Sequence, residues 1–156
     1  MSDVQKFVEL PLKIQNVFLR ECRVVLSEDF DIQCDSLDSF VKQGFRNCMS
    51  VKVRELDSEE NNIYEYKFCY GVGSRFINES EPHDAKDIEP VMLIEAQFEA
   101  VYHSNKELEP NDVTAFSEIN VGYHVWPFWR ELVQSSSSRV GLTAIIDVPF
   151  YHTEEV

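Results

Sequence analysis

The amino-acid sequence predicts an α+β fold in which a four-stranded antiparallel sheet packs on a long C-terminal helical region. Two observations indicate this fold. Apolar and polar side chains alternate through much of the first two thirds of the chain, as in half-buried strands, and helical spacing follows in the last third. A length of 156 residues is typical of one domain and no internal repeat is visible, so residues 1–156 are expected to form a single domain.

Four segments have strand character: residues 17–26, 49–56, 63–72 and 92–102. In the third segment, four aromatic side chains and Val72 fall on one face, with Glu65 and Lys67 on the other. The fourth is the clearest, because acidic and amide side chains alternate with apolar ones. Connections of hairpin length between the strands predict an antiparallel meander.

Helical spacing begins after residues 109–112, Glu-Pro-Asn-Asp, which form a helix-start signature. Pro127 is expected either to kink this helix or to begin a second helix at its first turn. The serines of 135–138 and Gly141 are expected to end the helical region. The apolar run 142–148 is then expected to be extended and to close over the sheet.

The chain is strongly acidic, with 28 acidic and 14 basic side chains and a formal net charge of -14. Because such a surface repels phosphate backbones and attracts basic segments, we expect no nucleic-acid partner. No signal pattern is visible, and no apolar run approaches the ~20 residues of a membrane span. A cytoplasmic location without membrane insertion is therefore expected, with the four cysteines as free, mostly packed thiols.

Motifs of catalysis and nucleotide binding are absent from the sequence. It has no glycine-rich phosphate loop, no His-Glu-x-x-His and no Gly-x-Ser-x-Gly. Its four histidines are far apart, and its cysteines lack metal-binding spacing. The sequence therefore predicts no catalytic residue, no cofactor and no metal site, which makes an enzyme less favoured without eliminating one.

Four aromatic side chains fall within the seven residues 123–129, around Pro127. They are interpreted either as core anchors of a helix on a small sheet or as part of an apolar groove for extended polypeptide. Both interpretations hold if different rings serve different purposes. Trp126 and Trp129 share a helix face and are expected to be structural, whereas Phe128 points elsewhere and is expected nearer the surface.

The segment Trp126-Pro127-Phe128-Trp129-Arg130-Glu131 resembles the Phe-Pro-Tyr-Ala-Arg-Glu signature of SecB, the protein-export chaperone family of proteobacteria. It is closer still to the Trp-Pro-Tyr-x-Arg-Glu variant of SecB-like proteins. Val51-Lys52-Val53 resembles the family's second strand, and Ile63-Tyr64-Glu65-Tyr66 resembles the opening of its third. The resemblance covers roughly residues 17–148, and its specific part is the aromatic signature.

The resemblance implies a homotetramer, built as a dimer of dimers, that binds unfolded polypeptide clients in apolar grooves between sheet and helix. The positions it assigns to client binding are Val24, Val51, Val53 and Phe128. Glu21 falls near a family acid that contacts the SecA translocase motor. By the same comparison the family's C-terminal helix is expected to be missing or vestigial here, and Glu55 stands in place of an apolar groove residue. Coupling to export is thus one possibility, and another client, such as an unstable antitoxin, is a second.

The function predicted from the sequence is therefore an ATP-independent holdase chaperone. Two alternatives remain open. The first is a protein–protein interaction module of a defence or toxin system that recognises one folded partner. The second, less favoured, is a small-molecule-binding protein or an enzyme whose pocket lies between sheet and helix.

Overall fold

The computed structural model describes residues 6–57, 61–82, 87–144 and 146–151. Within these ranges it has four strands, one short 3₁₀ turn and one α-helix. In chain order these are β1 (Lys13–Leu26), the 3₁₀ turn (Leu37–Ser39), β2 (Val41–Leu56), β3 (Ile63–Ile77), β4 (Met92–Ser104) and α1 (Pro110–Arg139). The predicted α+β fold, a four-stranded antiparallel sheet with a C-terminal helix, is confirmed.

The strand order in the sheet is β1-β4-β3-β2, with all neighbours antiparallel. The predicted meander is therefore wrong, because β1 pairs with β4 and not with β2. Strands β2, β3 and β4 follow one another as hairpins, while the long connection of residues 27–40 carries the chain from β1 to the far edge. This is a Greek-key arrangement. It places the two strands richest in buried aromatic residues, β3 and β4, at the centre of the sheet.

The first half of β2 extends beyond the predicted strand. Residues 41–48 pair in register with residues 70–77 of β3 and precede a register shift between Cys48 and Ser50. Their side chains are mostly polar or small, so the alternation that predicted 49–56 is missing from them. β2 can be polar there because it is an edge strand with one face open to solvent.

The core lies between α1 and one face of the sheet. On β3, Tyr66, Phe68, Tyr70 and Val72 are buried, as the predicted shared face requires. The apolar side chains of β4 that alternate with polar ones are also buried, namely Met92, Ile94, Ala96, Phe98, Ala100 and Tyr102. The helix contributes Phe116, Val121, Val125, Trp129 and Val133. This face, which we call the inner face, is continuous across the central strands.

A single helix runs from Pro110 to Arg139, with Glu109 as its N-cap residue, so the predicted start is confirmed. Pro127 lies inside this helix and does not begin a second one. The serines of 135–138 do not end the helix. Ser136 and Ser137 are buried in its last turns, and the Ser137 hydroxyl donates to the Val133 carbonyl over 2.7 Å. That bond satisfies the hydroxyl of Ser137, whose residue type is otherwise unfavourable in a helix interior.

All four cysteines are free thiols. The expectation that most of them are packed is wrong: Cys22 and Cys34 are exposed, and Cys48 and Cys69 are half-buried. Three of them lie on strands, where alternation and edge position control exposure more than residue type does.

Candidate functional site

Val51 and Val53 lie on the inner face of the edge strand β2. They stand opposite Phe68 and Tyr66, and residues directly opposite in an antiparallel pair share a face. Val51 is half-buried against the core, whereas Val53 is 49% exposed. The structure therefore brings these two residues together, with Val53 as the accessible one.

Val24 also lies on the inner face, because it stands opposite the buried Ile94. It belongs to the other edge strand, however, with β4 and β3 between it and β2. Three strand spacings separate the two edges by roughly 14 Å within one chain. Val24 therefore does not share one continuous patch with Val51 and Val53 in a single copy of the chain.

Trp126, Phe128 and Trp129 have different surroundings on the helix. Trp129 is 2% exposed and belongs to the core. Trp126 is half-buried, and its indole N–H donates to the Pro149 carbonyl over 2.7 Å. Phe128 is 46% exposed. The expected difference in burial between the two tryptophans and Phe128 is thus confirmed, while the part of Phe128 in client binding stays a prediction.

A groove lies between β2 and α1, and we call it the β2–α1 groove. Its cavity measures about 610 Å³. Lining side chains include Arg46, Val72, Trp126, Trp129, Val148 and Phe150. The lining thus combines β2, the centre of the helix and residues that follow the helix.

Arg46, which lines this groove, and Tyr151, which contacts Arg46, are two residues that the sequence did not indicate. The Arg46 guanidinium lies 4.4 Å from the centre of the Tyr151 ring and 5.6 Å from that of Trp126. Such cation–π contacts hold a charged side chain over apolar surface. Arg46 was not recognised because a lone arginine on a polar strand is normally solvated, and Tyr151 because it follows the last predicted element.

The opposite face of the sheet, the outer face, also exposes apolar side chains. Its exposed members are Phe18, Val25, Phe45 and Met49. Phe45 and Met49 lie over Gly73 and Gly71 of β3, where a Cβ atom would approach them to 2.3 and 2.8 Å. Glu21, the residue assigned to contact with SecA, is exposed on this face opposite Gln97. Its contact with a partner stays a prediction.

An ion-pair cluster centred on Glu65 lies at one end of the outer face. The Glu65 carboxylate is 2.7 Å from Arg54 Nε, 3.5 Å from Lys67 Nζ and 3.4 Å from His103 Nε2. Desolvation raises the pKa of Glu65. Hydrogen bonds from Arg54 and His103, together with the nearby cationic charges, lower the pKa by more than desolvation raises it, so the net pKa lies below the ordinary value. The cluster keeps Glu65 ionised and is a structural feature of β2, β3 and β4.

In the part of the chain that the structure describes, no helix has both the length and the apolar character needed to cross a membrane. The same ranges contain no cluster of three or more histidine, cysteine or acidic side chains arranged to hold a metal ion.

No family model and no curated protein matches the sequence. The fold, however, is similar to that of Rv1957, a SecB-like chaperone of Mycobacterium tuberculosis, solved in complex with a ChAD peptide from the Rv1956 HigA1 antitoxin. The TM-score is 0.58 at 12% sequence identity, and the match covers 90% of this chain and 92% of that chain. The chain therefore has a SecB-like fold, as the aromatic signature predicted.

Proposed function

We propose that this protein is a holdase chaperone that binds unfolded polypeptide without nucleotide. The observation that carries the proposal is the exposure of Val53 on β2 and Phe128 on α1, the two elements that border the β2–α1 groove. Neither side chain lines the groove itself. Exposed apolar side chains on the elements that border an open groove are nevertheless typical of a binding surface. The SecB-like fold supports the proposal, because the structure of Rv1957 holds a peptide.

The physical character of the chain suits this activity. Each buried methylene contributes ~0.8 kcal/mol, so several modest apolar contacts give an affinity that tolerates many client sequences. The net charge of -14 keeps a protein with exposed apolar surface dispersed, and it attracts basic unfolded segments.

Two kinds of client fit the proposal, and both would be met in the cytoplasm. The antitoxin peptide bound by Rv1957 favours a client of that class. An exported protein handed to SecA is the other, with Glu21 on the outer face as the acidic contact. Pull-down from cells, followed by identification of the captured proteins, distinguishes the two. Recovery of one folded partner, with little affinity for unrelated denatured proteins, would indicate an interaction module instead.

We further propose a homotetramer assembled from dimers. β1 is an edge strand, and Ile14 and Leu19 expose apolar surface along it. Long exposed apolar edges favour pairing with another chain. We expect light scattering at micromolar concentration to give four times the mass of one chain. A monomer mass across that range would contradict the proposal.

The holdase activity is tested by aggregation of a chemically denatured client, followed by turbidity without ATP. We expect the wild-type protein to suppress aggregation, and Val53→Asp and Phe128→Asp to weaken client binding by about tenfold each, because each loses an apolar contact worth about 1.5 kcal/mol or more. Both positions are about half exposed, so a charge there is compatible with folding.

Phe18→Asp is the matched control, since Phe18 is 43% exposed on the outer face, away from the groove. It should protect the client as well as the wild-type protein does. If Val53→Asp and Phe128→Asp remain folded and still protect fully, the exposed apolar surface that carries Val53 and Phe128 is not the binding surface. If the wild-type protein fails to protect any denatured client, the holdase function itself is wrong.

A further inference from the structure

The chain places a segment of its own along the β2–α1 groove, which Val148, Pro149 and Phe150 line. After α1, residues 146–151 lie against the core without regular secondary structure. Ile146 and Val148 are buried in the core cluster. Phe150, which lines the groove, is exposed to solvent. Burial of every second side chain is the pattern of an extended polypeptide on an apolar surface. We call residues 146–151 the resident segment.

The main-chain carbonyls of the resident segment are bound by the groove. Lys42 Nζ donates to the Asp147 carbonyl, and Trp126 Nε1 donates to the Pro149 carbonyl over 2.7 Å. Because every residue of a polypeptide offers a carbonyl, these two donors do not depend on the sequence of the bound segment. The contact of Tyr151 with α1 differs, since its hydroxyl donates to the Ile119 carbonyl over 2.7 Å.

The groove binds this extended segment through the same kinds of contact that a holdase needs to bind any unfolded client. Two apolar sites receive alternate side chains, and two side-chain donors bind the backbone. On its N-terminal side the resident segment follows the end of α1, where the Leu142 N–H donates to the Ser137 carbonyl. Beside it the cavity of about 610 Å³ leaves room for a second chain to enter.

We infer that the resident segment competes with clients for the β2–α1 groove, and that the ligand of this site is an extended polypeptide segment with apolar side chains at alternate positions. This inference rests on the proposed holdase function and adds its regulation. A client displaces Ile146 and Val148 from their sites and takes over the hydrogen bonds from Lys42 and Trp126.

The test uses the full chain and a matched pair of substitutions, Val148→Ala and Val17→Ala. Both valines are 8% exposed in the same core cluster, but Val148 belongs to the resident segment and Val17 to β1, on the far edge of the sheet. The probe is a reduced, carboxymethylated protein that stays unfolded, and its dissociation constant is measured by fluorescence anisotropy. Denaturant unfolding confirms that both variants lose similar stability.

We expect Val148→Ala to bind the unfolded probe about three- to tenfold more tightly than the wild-type protein, because apparent affinity increases with the fraction of molecules whose site is vacant. Val17→Ala should bind like the wild-type protein. A second variant, Tyr151→Phe, removes a single hydroxyl and should also tighten binding. Tyr123→Phe is its control, since it removes a hydroxyl from an exposed ring.

Equal affinities for Val148→Ala and Val17→Ala, with Tyr151→Phe unchanged, would show that the resident segment does not compete, while leaving the holdase function in place. Weaker binding by Val148→Ala would show that the segment is a fixed wall of the site and would also overturn the inference. Tighter binding of the probe by Val148→Ala than by Val17→Ala and the wild-type protein would support it. Absence of probe binding by all variants and the wild-type protein would overturn the inference together with the proposed function.

Discussion

Replacing Trp129 by alanine is expected to lower the free energy of unfolding by about 3–5 kcal/mol. Trp129 is 2% exposed and among the largest fully buried side chains of the described chain. Truncation removes most of a large apolar side chain and leaves a cavity between α1 and the inner face that its neighbours fill only partly. A loss of this size is a large part of the stability of a small domain. Denaturant unfolding followed by circular dichroism measures it.

Phe128→Ala is the control for this prediction, because it truncates the adjacent aromatic side chain. Phe128 is exposed, so its loss should change the free energy of unfolding by about 0.5 kcal/mol or less. It should instead weaken binding of an unfolded client. The division of roles is reversed if Phe128→Ala unfolds the protein while Trp129→Ala keeps the fold and loses client binding.

Gly122→Ala is expected to destabilise the protein by about 1–3 kcal/mol, the usual cost of overpacking a core. Alanine is the better helix former by about 1 kcal/mol, so propensity alone predicts the opposite sign. A Cβ atom at this position, however, would lie 2.5 Å from the Tyr70 hydroxyl and 2.6 Å from the Tyr151 hydroxyl. Tyr70 is buried on the central strand β3, so its side chain cannot rotate into solvent to relieve the contact.

Gly73→Ala tests whether the loss in free energy of unfolding depends on how freely the contacted side chain can move. Its Cβ would come closer still, 2.3 Å from Phe45 Cε1, but Phe45 is 51% exposed and can rotate into solvent. We expect a change within about 0.5 kcal/mol. Denaturant midpoints of the two glycine variants are compared directly. Equal losses, or a gain for Gly122→Ala, would show that Tyr70 and Tyr151 do not restrict this part of α1.

Residue patterns within one segment predicted the local structure well. β3 and β4 were found because each carries its apolar side chains on one face, and that alternation follows from strand geometry alone. The start of α1 was found from its proline and acidic residues. Alternation identifies a face but not a neighbouring strand, and the pairing of β1 with β4 could not be derived from it.

The candidate site could be predicted only in part, for a similar reason. The different burial of Trp129 and Phe128 follows from the angle of about 100° between adjacent helix positions. Arg46 and Tyr151, in contrast, meet across more than 100 positions of sequence, and nothing near either residue marks the contact. The same holds for Lys42 and the carbonyl of Asp147. Contacts of this kind are fixed by the tertiary fold, which the local pattern does not contain.

The position of β1 beside β4 has a consequence for biosynthesis. A ribosome makes β1 first, yet the strand that pairs with it ends at Ser104, and β1 itself ends at Leu26. At about 5–20 residues per second, β1 waits unpaired for roughly 4–16 s while the other strands emerge. Closing the sheet is then the step of highest contact order, and we expect it to be slow.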